Sequence, residues 1–455
     1  MSAVAAVSES VPADVKTPER VGWNPLTRVA FRFCLLYFGL FCLVYPQPVN
    51  VFLGPALKWV PEAIQFQTDM LESPLRWVGK AVFGVEAELH ATGSGDQTIF
   101  WVQLFCLLVI ALTGTLLWSV VSRRREHRRL AGWFLLFIRL CVAGQMFFYG
   151  FAKLIPVQMW MPGLATLLEP YGNLTPMAVL WNQVGGSPSY QILLGAAEVG
   201  AGVLLFIPRT ALAGAMLSTI AMAQVFVLDM NFDVPVKILS GHLMLMGFIL
   251  MAPEARRLMD LLVLNRTASP STAPYPFRTS RSRWLAAAVQ VLLGVWVGAG
   301  CLNESLALYR EEGSARPKPP LYGIWTVQEF TRDGQLVPPL LSDETRWQRV
   351  VFDAPEIMEF QRMDGTFAPV QVRVDTQARR LDLRQAPGPA PFRPTPAQMP
   401  DIRGSFTYDQ PSADRLRLDG DLDGHPVVIT FTRLDPDTLP QRSHPFSWVM
   451  DHPNF

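Results

Sequence analysis

The sequence predicts an α-helical polytopic membrane bundle of about seven spans, followed by an all-β domain, an eight-stranded antiparallel barrel. Three observations predict it. Apolar runs near 20 residues long, the length that crosses a bilayer, recur as far as Cys301. The composition then shifts at the charged, Pro-rich stretch EEGSARPKPP (311–320). Beyond it, short alternating segments are separated by Asp-Gly and similar turns, the pattern of hairpin-linked strands.

Taken in order, the spans fall near 29–46, 99–121, 131–153, 190–208, 211–230, 236–252 and 284–302, the first short and the sixth marginal. Lys and Arg set their direction. Arg20, Arg28 and Arg32, the run SRRREHRR (122–129), Arg209, and the arginines of 256–283 all fall on one side if the N-terminus is cytoplasmic. Seven spans then carry the C-terminus across. The organisation expected is a cytoplasmic tail 1–28, a bundle 29–303 with outer loops 47–98 and 154–189, a linker 304–320, and an extracytoplasmic β domain 321–455. A bacterial inner membrane is the natural setting.

The outer loops carry structure of their own. PALKWVPEAIQF and PLRWVGKAVFG read as interfacial helices with Trp anchors. In ATGSGDQT (91–98), Asp96 or Thr98 is placed to cap the second span. GSGD is no phosphate loop, because no strand precedes it and no GK[ST] follows. The loop 154–189 is rich in Pro, Gly and Trp and suits re-entrant or interfacial helices.

The β domain reads as strands at 323–331, 346–352, 357–362, 367–374, 380–384, 404–408, 414–419 and 425–433, with turns at 333–334, 364–365, 409–414 and 419–424. LYGIWTV sets Gly323 and Trp325 in a G-x-W pattern that resembles the opening strand of lipocalin-type barrels. Such a barrel can hold a small ligand or be filled by its own side chains.

Composition excludes several classes. Half of the residues are hydrophobic and only 17% are charged, too few charges for an ordinary soluble chain. A net charge of +1 gives no case for a nucleic-acid partner. The five cysteines, Cys34, Cys42, Cys106, Cys141 and Cys301, lie in or beside apolar runs and form no CxxC pair. The first 28 residues are too polar for a cleaved signal peptide.

Function is sought in ionisable residues inside the spans, which are expensive there and therefore functional candidates. Lys153 ends the third span, Glu198 lies in the fourth, Asp229 and Asp233 end the fifth, and Lys237 and His242 open the sixth. At 1.5 Å per residue, Glu198 is ~12 Å and His242 ~9 Å below the outer surface. Lys153, Glu198 and His242 are candidate catalytic groups. Tyr149, one turn before Lys153, with Arg139, Gln145, Asp229, Asp233 and Lys237, are candidate substrate contacts, so that one outward-opening cavity is expected beneath the β domain. The plainer readings stand beside these. Lys153 can snorkel, Glu198 can form a structural ion pair with Lys153 or Arg139, the aspartates can be solvated, and His242 can be a packing histidine. No HxxxH or HExxH accompanies His242, and no second span histidine serves haem.

YGFAKL (149–154), AAEVGAGVLLFIPRT (196–210) and NFDVPVK…SGHLMLMGFILMAPEARRL resemble the DoxX-like membrane proteins over roughly 99–260. That grouping includes the small membrane subunit of thiosulfate:quinone oxidoreductase and partners of membrane redox complexes. The segments holding Tyr149–Lys153 and HLMLMGF are also similar to the membrane region of vitamin K-dependent carboxylase-like proteins, where a lysine so placed acts as a base. The resemblance implies a role for Lys153 in quinone chemistry. The seventh span and the barrel depart from both groups.

Two functions follow. One is a quinone-linked enzyme or enzyme subunit, with a redox partner protein. The other is a non-catalytic envelope protein whose lipocalin-like domain binds a lipid or partner protein. No inverted repeat points to a transporter.

Overall fold

The computed structural model describes residues 22–59, 62–122, 124, 126–268, 270–271, 273–385, 402–444 and 446–452. Residues 1–21 of the expected tail 1–28, with Arg20, and Arg123 and Arg125 of the basic run, lie outside them, as do Val60 and Pro61 of the first interfacial stretch.

Seven helices long and apolar enough to cross a membrane form the N-terminal part: Pro25–Val44, Thr98–Val121, Arg128–Leu154, Pro188–Phe206, Ala211–Asn231, Lys237–Leu262 and Ser280–Glu311. The protein is therefore a multi-pass membrane protein. Several helices outrun their apolar stretches because caps, not hydropathy, decide where they begin. Asn24 accepts from Thr27 N–H at 2.7 Å, and Pro25 occupies the first turn, where no N–H is needed. Thr279 and Ser282 form a capping box at the start of the seventh span. That span continues to Glu311, so its last turns take in much of the expected linker. The remainder is tied down: Arg316 donates to the Asp353 carbonyl at 2.8 Å, and Lys318 lies 4.6 Å from the Tyr322 ring centre.

Successive spans alternate in direction. At one end, Gly95 N–H donates to Pro235 O at 2.8 Å, joining the approaches to the second and sixth spans. At the far end, Trp23 N–H donates to Glu126 Oε1 at 3.2 Å. Asp96 does cap a helix, but across the bundle: its Oδ2 and Oδ1 accept from the N–H groups of Lys237 and Ile238, both at 2.9 Å. The second span instead starts after Gln97, whose side chain makes no cap bond. Local spacing suggested the neighbouring helix, and the tertiary approach of residues 95–96 to 235–238 redirected the carboxylate. The first outer connection carries the helical pieces Pro46–Asn50 and Val51–Trp59 and the longer helix Glu62–Val78, and 154–189 carries Pro176–Gly185 and two single turns.

The C-terminal part is a closed eight-stranded antiparallel barrel with one extra strand. Its strands are β1 (Gly323–Arg332), the short β2 (Gln335–Leu336), β3 (Trp347–Ala354), β4 (Ile357–Arg362), β5 (Phe367–Asp375), β6 (Arg380–Gln385), β7 (Gly404–Ser412), β8 (Arg415–Leu422) and β9 (His425–Leu434). Neighbours pair in sequence, β2 pairs only on the end of β1, and β1 closes onto β9. The two-residue turns Asp333-Gly334 and Asp423-Gly424 are left-handed at both positions, as tight hairpins require. Asp419 and Gly420 lie within β8, so only the second Asp-Gly of DGDLDG turns. Inward residues alternate along each strand, as with Val427, Ile429 and Phe431 on β9. Trp325, Phe330, Phe352 and Phe406 fill the interior.

Candidate functional site

The third span packs most extensively on the fourth. Two glycines set their separation. A Cβ at Gly195 would lie 2.3 Å from Leu154 N, and one at Gly150 would lie 2.8 Å from Val199 N. Backbones this close bring Lys153 and Glu198 together. The Lys153 ammonium is 2.8 Å from both Glu198 oxygens, and the two residues are only 4% and 3% exposed. Of the two ion-pair partners expected for Glu198, the structure selects Lys153. The ammonium also lies 5.7 Å from the Tyr149 ring centre, and the Tyr149 hydroxyl donates to Gln47 Oε1 at 3.1 Å.

Lys153, Glu198, Tyr149 and Asp229 line one cavity of about 260 Å³ between the third, fourth, fifth and sixth spans. Asp229 is 3% exposed, and its Oδ2 has no hydrogen-bond partner. The remaining wall is largely apolar, with Met222, Val225, Leu239 and Leu243. The roof comes from the loop 154–189 through Gln158, Met159, Leu180 and Trp181. Gln158 Oε1 is also buried without a partner. Gln191 on the fourth span pins this roof: its amide donates to Met159 O at 2.7 Å and accepts from Met159 N at 3.0 Å.

The same loop carries the barrel. Leu164 and Ala165 pack on Ile324 and Val351, on the barrel's outer face. Leu164 N–H donates to Asp353 Oδ2 at 2.9 Å, and Arg316 pairs with Asp353 Oδ1 at 3.2 Å. Burial on this face pushes the Tyr322 phenol pKa above its ordinary value. One loop thus connects the barrel to the roof of the cavity.

The other expected site residues are placed elsewhere. His242 does not line the cavity. Its Nδ1 lies 2.6 Å from the Ile238 carbonyl, which can only accept, so Nδ1 carries the proton. Its Nε2 lies 3.0 Å from the Tyr37 hydroxyl, and its ring stacks on Phe41 with centres 4.0 Å apart. Both ring nitrogens are satisfied inside an aromatic stack, which is a packing role. Asp233 is exposed and pairs with Lys237 at 2.9 Å. Lys237 also faces Asp96 at 3.7 Å. Neither residue is part of the cavity lining. Gln145 donates to the Gln47 carbonyl at 3.0 Å and stands apart from the lining. Arg139, 14 residues before Lys153 in the sequence, lies ~21 Å away along the helix. It bonds to Gln290 of the seventh span. The single cavity expected from shared depth therefore gathers four of the nine residues.

Sequence reasoning missed Gln158, Gln191 and Ser240, all in or against this site. Gln158 sits in an aperiodic loop, and nothing in its spacing foretells that the loop folds over the bundle. Among the described residues, no group of three or more His, Cys, Asp and Glu side chains could hold a metal ion.

Over 132 residues the chain is 31% identical to the uncharacterized protein YwoB of Bacillus subtilis (strain 168), covering 27% of this chain and 78% of YwoB. The chain belongs to the YwoB family. No activity is assigned to YwoB by that name, so membership transfers none. No family model and no solved structure matches the chain.

Proposed function

We propose that this is a DoxX-like protein of a bacterial inner membrane that binds a quinone-class molecule in the cavity beneath its barrel, as a subunit of a redox system. Its N-terminus is cytoplasmic and its barrel extracytoplasmic, the direction that the Lys and Arg distribution favours. The observation that carries the binding reading is the buried Asp229 carboxylate, with one oxygen unpartnered, in a mostly apolar cavity that also holds the Lys153–Glu198 pair. A buried carboxylate oxygen without a partner is costly, and a ligand hydroxyl or carbonyl with a shared proton would satisfy it.

The volume supports a small head group. At about 260 Å³ it lies just below the usual range for drug-sized ligands, and suits one ring. Reducing a quinone adds two electrons to the ring and one proton to each of its two oxygens, and oxidising the quinol reverses this. Asp229 and the Lys153–Glu198 pair offer proton-exchanging groups on different helices around one space. Electrons would come from or go to a redox partner protein. The segments carrying the DoxX-like resemblance, YGFAKL and AAEVGAG, supply Lys153 and Glu198, which lends the resemblance weight. The alternative, lipid binding inside the barrel, has less support because that interior is filled by aromatic and aliphatic side chains.

The test uses detergent-purified full-length protein. Bound small molecules are extracted and identified by mass spectrometry for the wild type, Glu198→Gln and Asp229→Asn. A stoichiometric quinone that declines in folded variants is expected. Absence of quinone from the wild type, after adding quinone in excess, would sink the proposal.

A further inference from the structure

At the ends of the spans away from the barrel lies a second and larger cavity, of about 1060 Å³. It is bounded by the third and seventh spans, the turn between the fourth and fifth, the end of the sixth and the segment that follows it. Four arginines line it, Arg139, Arg209, Arg257 and Arg283, against one carboxylate, Glu254. Glu254 is already engaged by Arg257 at 3.4 Å and by the Ser271 hydroxyl. Among the described residues, no carboxylate pairs with Arg139, Arg209 or Arg283.

Arg139 makes this a built site. It is only 8% exposed, and its guanidinium stays charged at any physiological pH. One Nη donates to Gln290 Oε1, while Nε is buried without a partner. Gln290 is held in turn, since its Nε2 donates to Ala286 O at 2.7 Å. Its carbonyl is thus committed to the arginine. A neutral amide cannot balance a buried cation, and an uncompensated charge among membrane helices is expensive. Arg139 therefore presents a buried guanidinium, with one donor unused, that an anion would balance.

The rest of the lining describes the ligand further. Leu135, Leu136, Leu212, Val291 and Leu292 give the groove a hydrocarbon wall. Leu292 and Trp284 are 67% and 74% exposed on the outside of the bundle, so the groove opens sideways toward lipid as well as toward water. The segment after the sixth span, which gives Ala273, Pro274 and Tyr275 to the lining, is held against the third span. Pro276 lies against the third span so closely that a Cβ at Gly132 would come within 2.9 Å of its nitrogen. Phe277 packs edge-on against Trp133 at 5.3 Å. A ligand here is anionic at one end and hydrocarbon along its length.

We propose that this groove binds an anionic membrane phospholipid. Its headgroup sits on Arg139 with Arg209 and Arg283, and its acyl chains lie on the Leu135–Leu136 and Val291–Leu292 walls. Basic pockets between spans on the cytoplasmic side are suited to such headgroups. The inference uses none of the residues of the proposed quinone site, and it rests on that reading only for placing this end of the bundle on the cytoplasmic side.

The test is binding to delipidated full-length protein in detergent. Phosphatidylglycerol and phosphatidylcholine with the same acyl chains are compared by native mass spectrometry and thermal unfolding. The wild type should retain phosphatidylglycerol about tenfold over phosphatidylcholine, the scale of a charge-assisted contact. Arg139→Gln should abolish that preference. Because Arg139 is buried, the exposed pair Arg209→Gln and Arg283→Gln provides a second variant, which should reduce the preference about threefold while leaving the fold intact. Equal retention of both lipids by the wild type would overturn the proposal. So would a preference unchanged in both variants, or the same thermal shift from inorganic phosphate alone.

Discussion

Glu198 in the bundle and Trp325 in the barrel are both almost fully buried, at 3% and 1% exposure. The two regions bury them by different physics. Around Trp325 the barrel is packed with apolar side chains, and the one polar atom of its ring donates to the Leu321 carbonyl at 2.8 Å. Around Glu198 the bundle keeps charge, an ion pair with Lys153 and an open cavity. In water, burying hydrocarbon drives the barrel to fill itself. In a bilayer, lipid is as apolar as leucine, so close approach at small residues and polar contacts fix how helices meet. The bundle can therefore leave space in its interior, and chemistry is sought where space and charge coincide.

The largest effect expected is in the barrel. Trp325→Ala should cost about 5 kcal/mol, the upper range for removing a buried aromatic. Hydrogen exchange in the full chain should accelerate through β1, β3 and β9 and stay unchanged in the spans. A ligand-filled interior would blunt this loss, so a small effect would break the contrast between a filled barrel and a hollow bundle. Next comes the ion pair. Lys153→Met should cost about 4 kcal/mol by leaving a buried carboxylate unpaired. Lys153→Met combined with Glu198→Leu should recover most of the thermal stability in detergent. A double variant no more stable than the single one would show that the pair does not act as a unit.

Smaller effects sharpen the same contrast. Asp96→Ala removes the carboxylate that caps the sixth span from a different part of the chain. A loss of about 1 kcal/mol is expected, with faster exchange at Lys237 and Ile238 rather than at the start of the second span. The smallest effect is a pH dependence in the barrel. The Arg346 backbone N–H donates to Asp343 Oδ1 at 2.7 Å and holds that carboxyl below its ordinary pKa, helped by Thr345. A depressed folded-state pKa stabilises the fold fully above the unfolded value of about 3.9, and the contribution is lost as pH falls through the folded value. Exchange protection near Asp343 should drop through that acid window, and Asp343→Asn should remove the slope.

Much of the architecture was legible in the sequence. The seven spans follow from apolar length, and their ends shifted by a few residues where Asn24 or Thr279 caps a helix beyond the apolar stretch. The strands follow from alternation and Asp-Gly turns, both set by neighbours within a few residues. The site was half legible. Lys153, Glu198, Tyr149 and Asp229 do gather round one cavity. His242 shares their depth but faces Phe41 and Tyr37 instead, because depth fixes height along a helix and says nothing of rotation about it. Arg139 was assigned to the same cavity and lies at the far end of the bundle.

The sequence by itself determined what hydropathy and local hydrogen bonding decide: a membrane bundle, its spans, and a hairpin-built barrel. Only the tertiary structure decided which polar groups meet. Gly150 and Gly195 permit the backbone approach that joins Lys153 to Glu198, yet a glycine does not name its neighbour. Asp96 reaches the sixth span, and Leu164 reaches Asp353, over separations of 141 and 189 residues. Those contacts depend on how helices rotate and how loops close, and no periodicity within one segment encodes that.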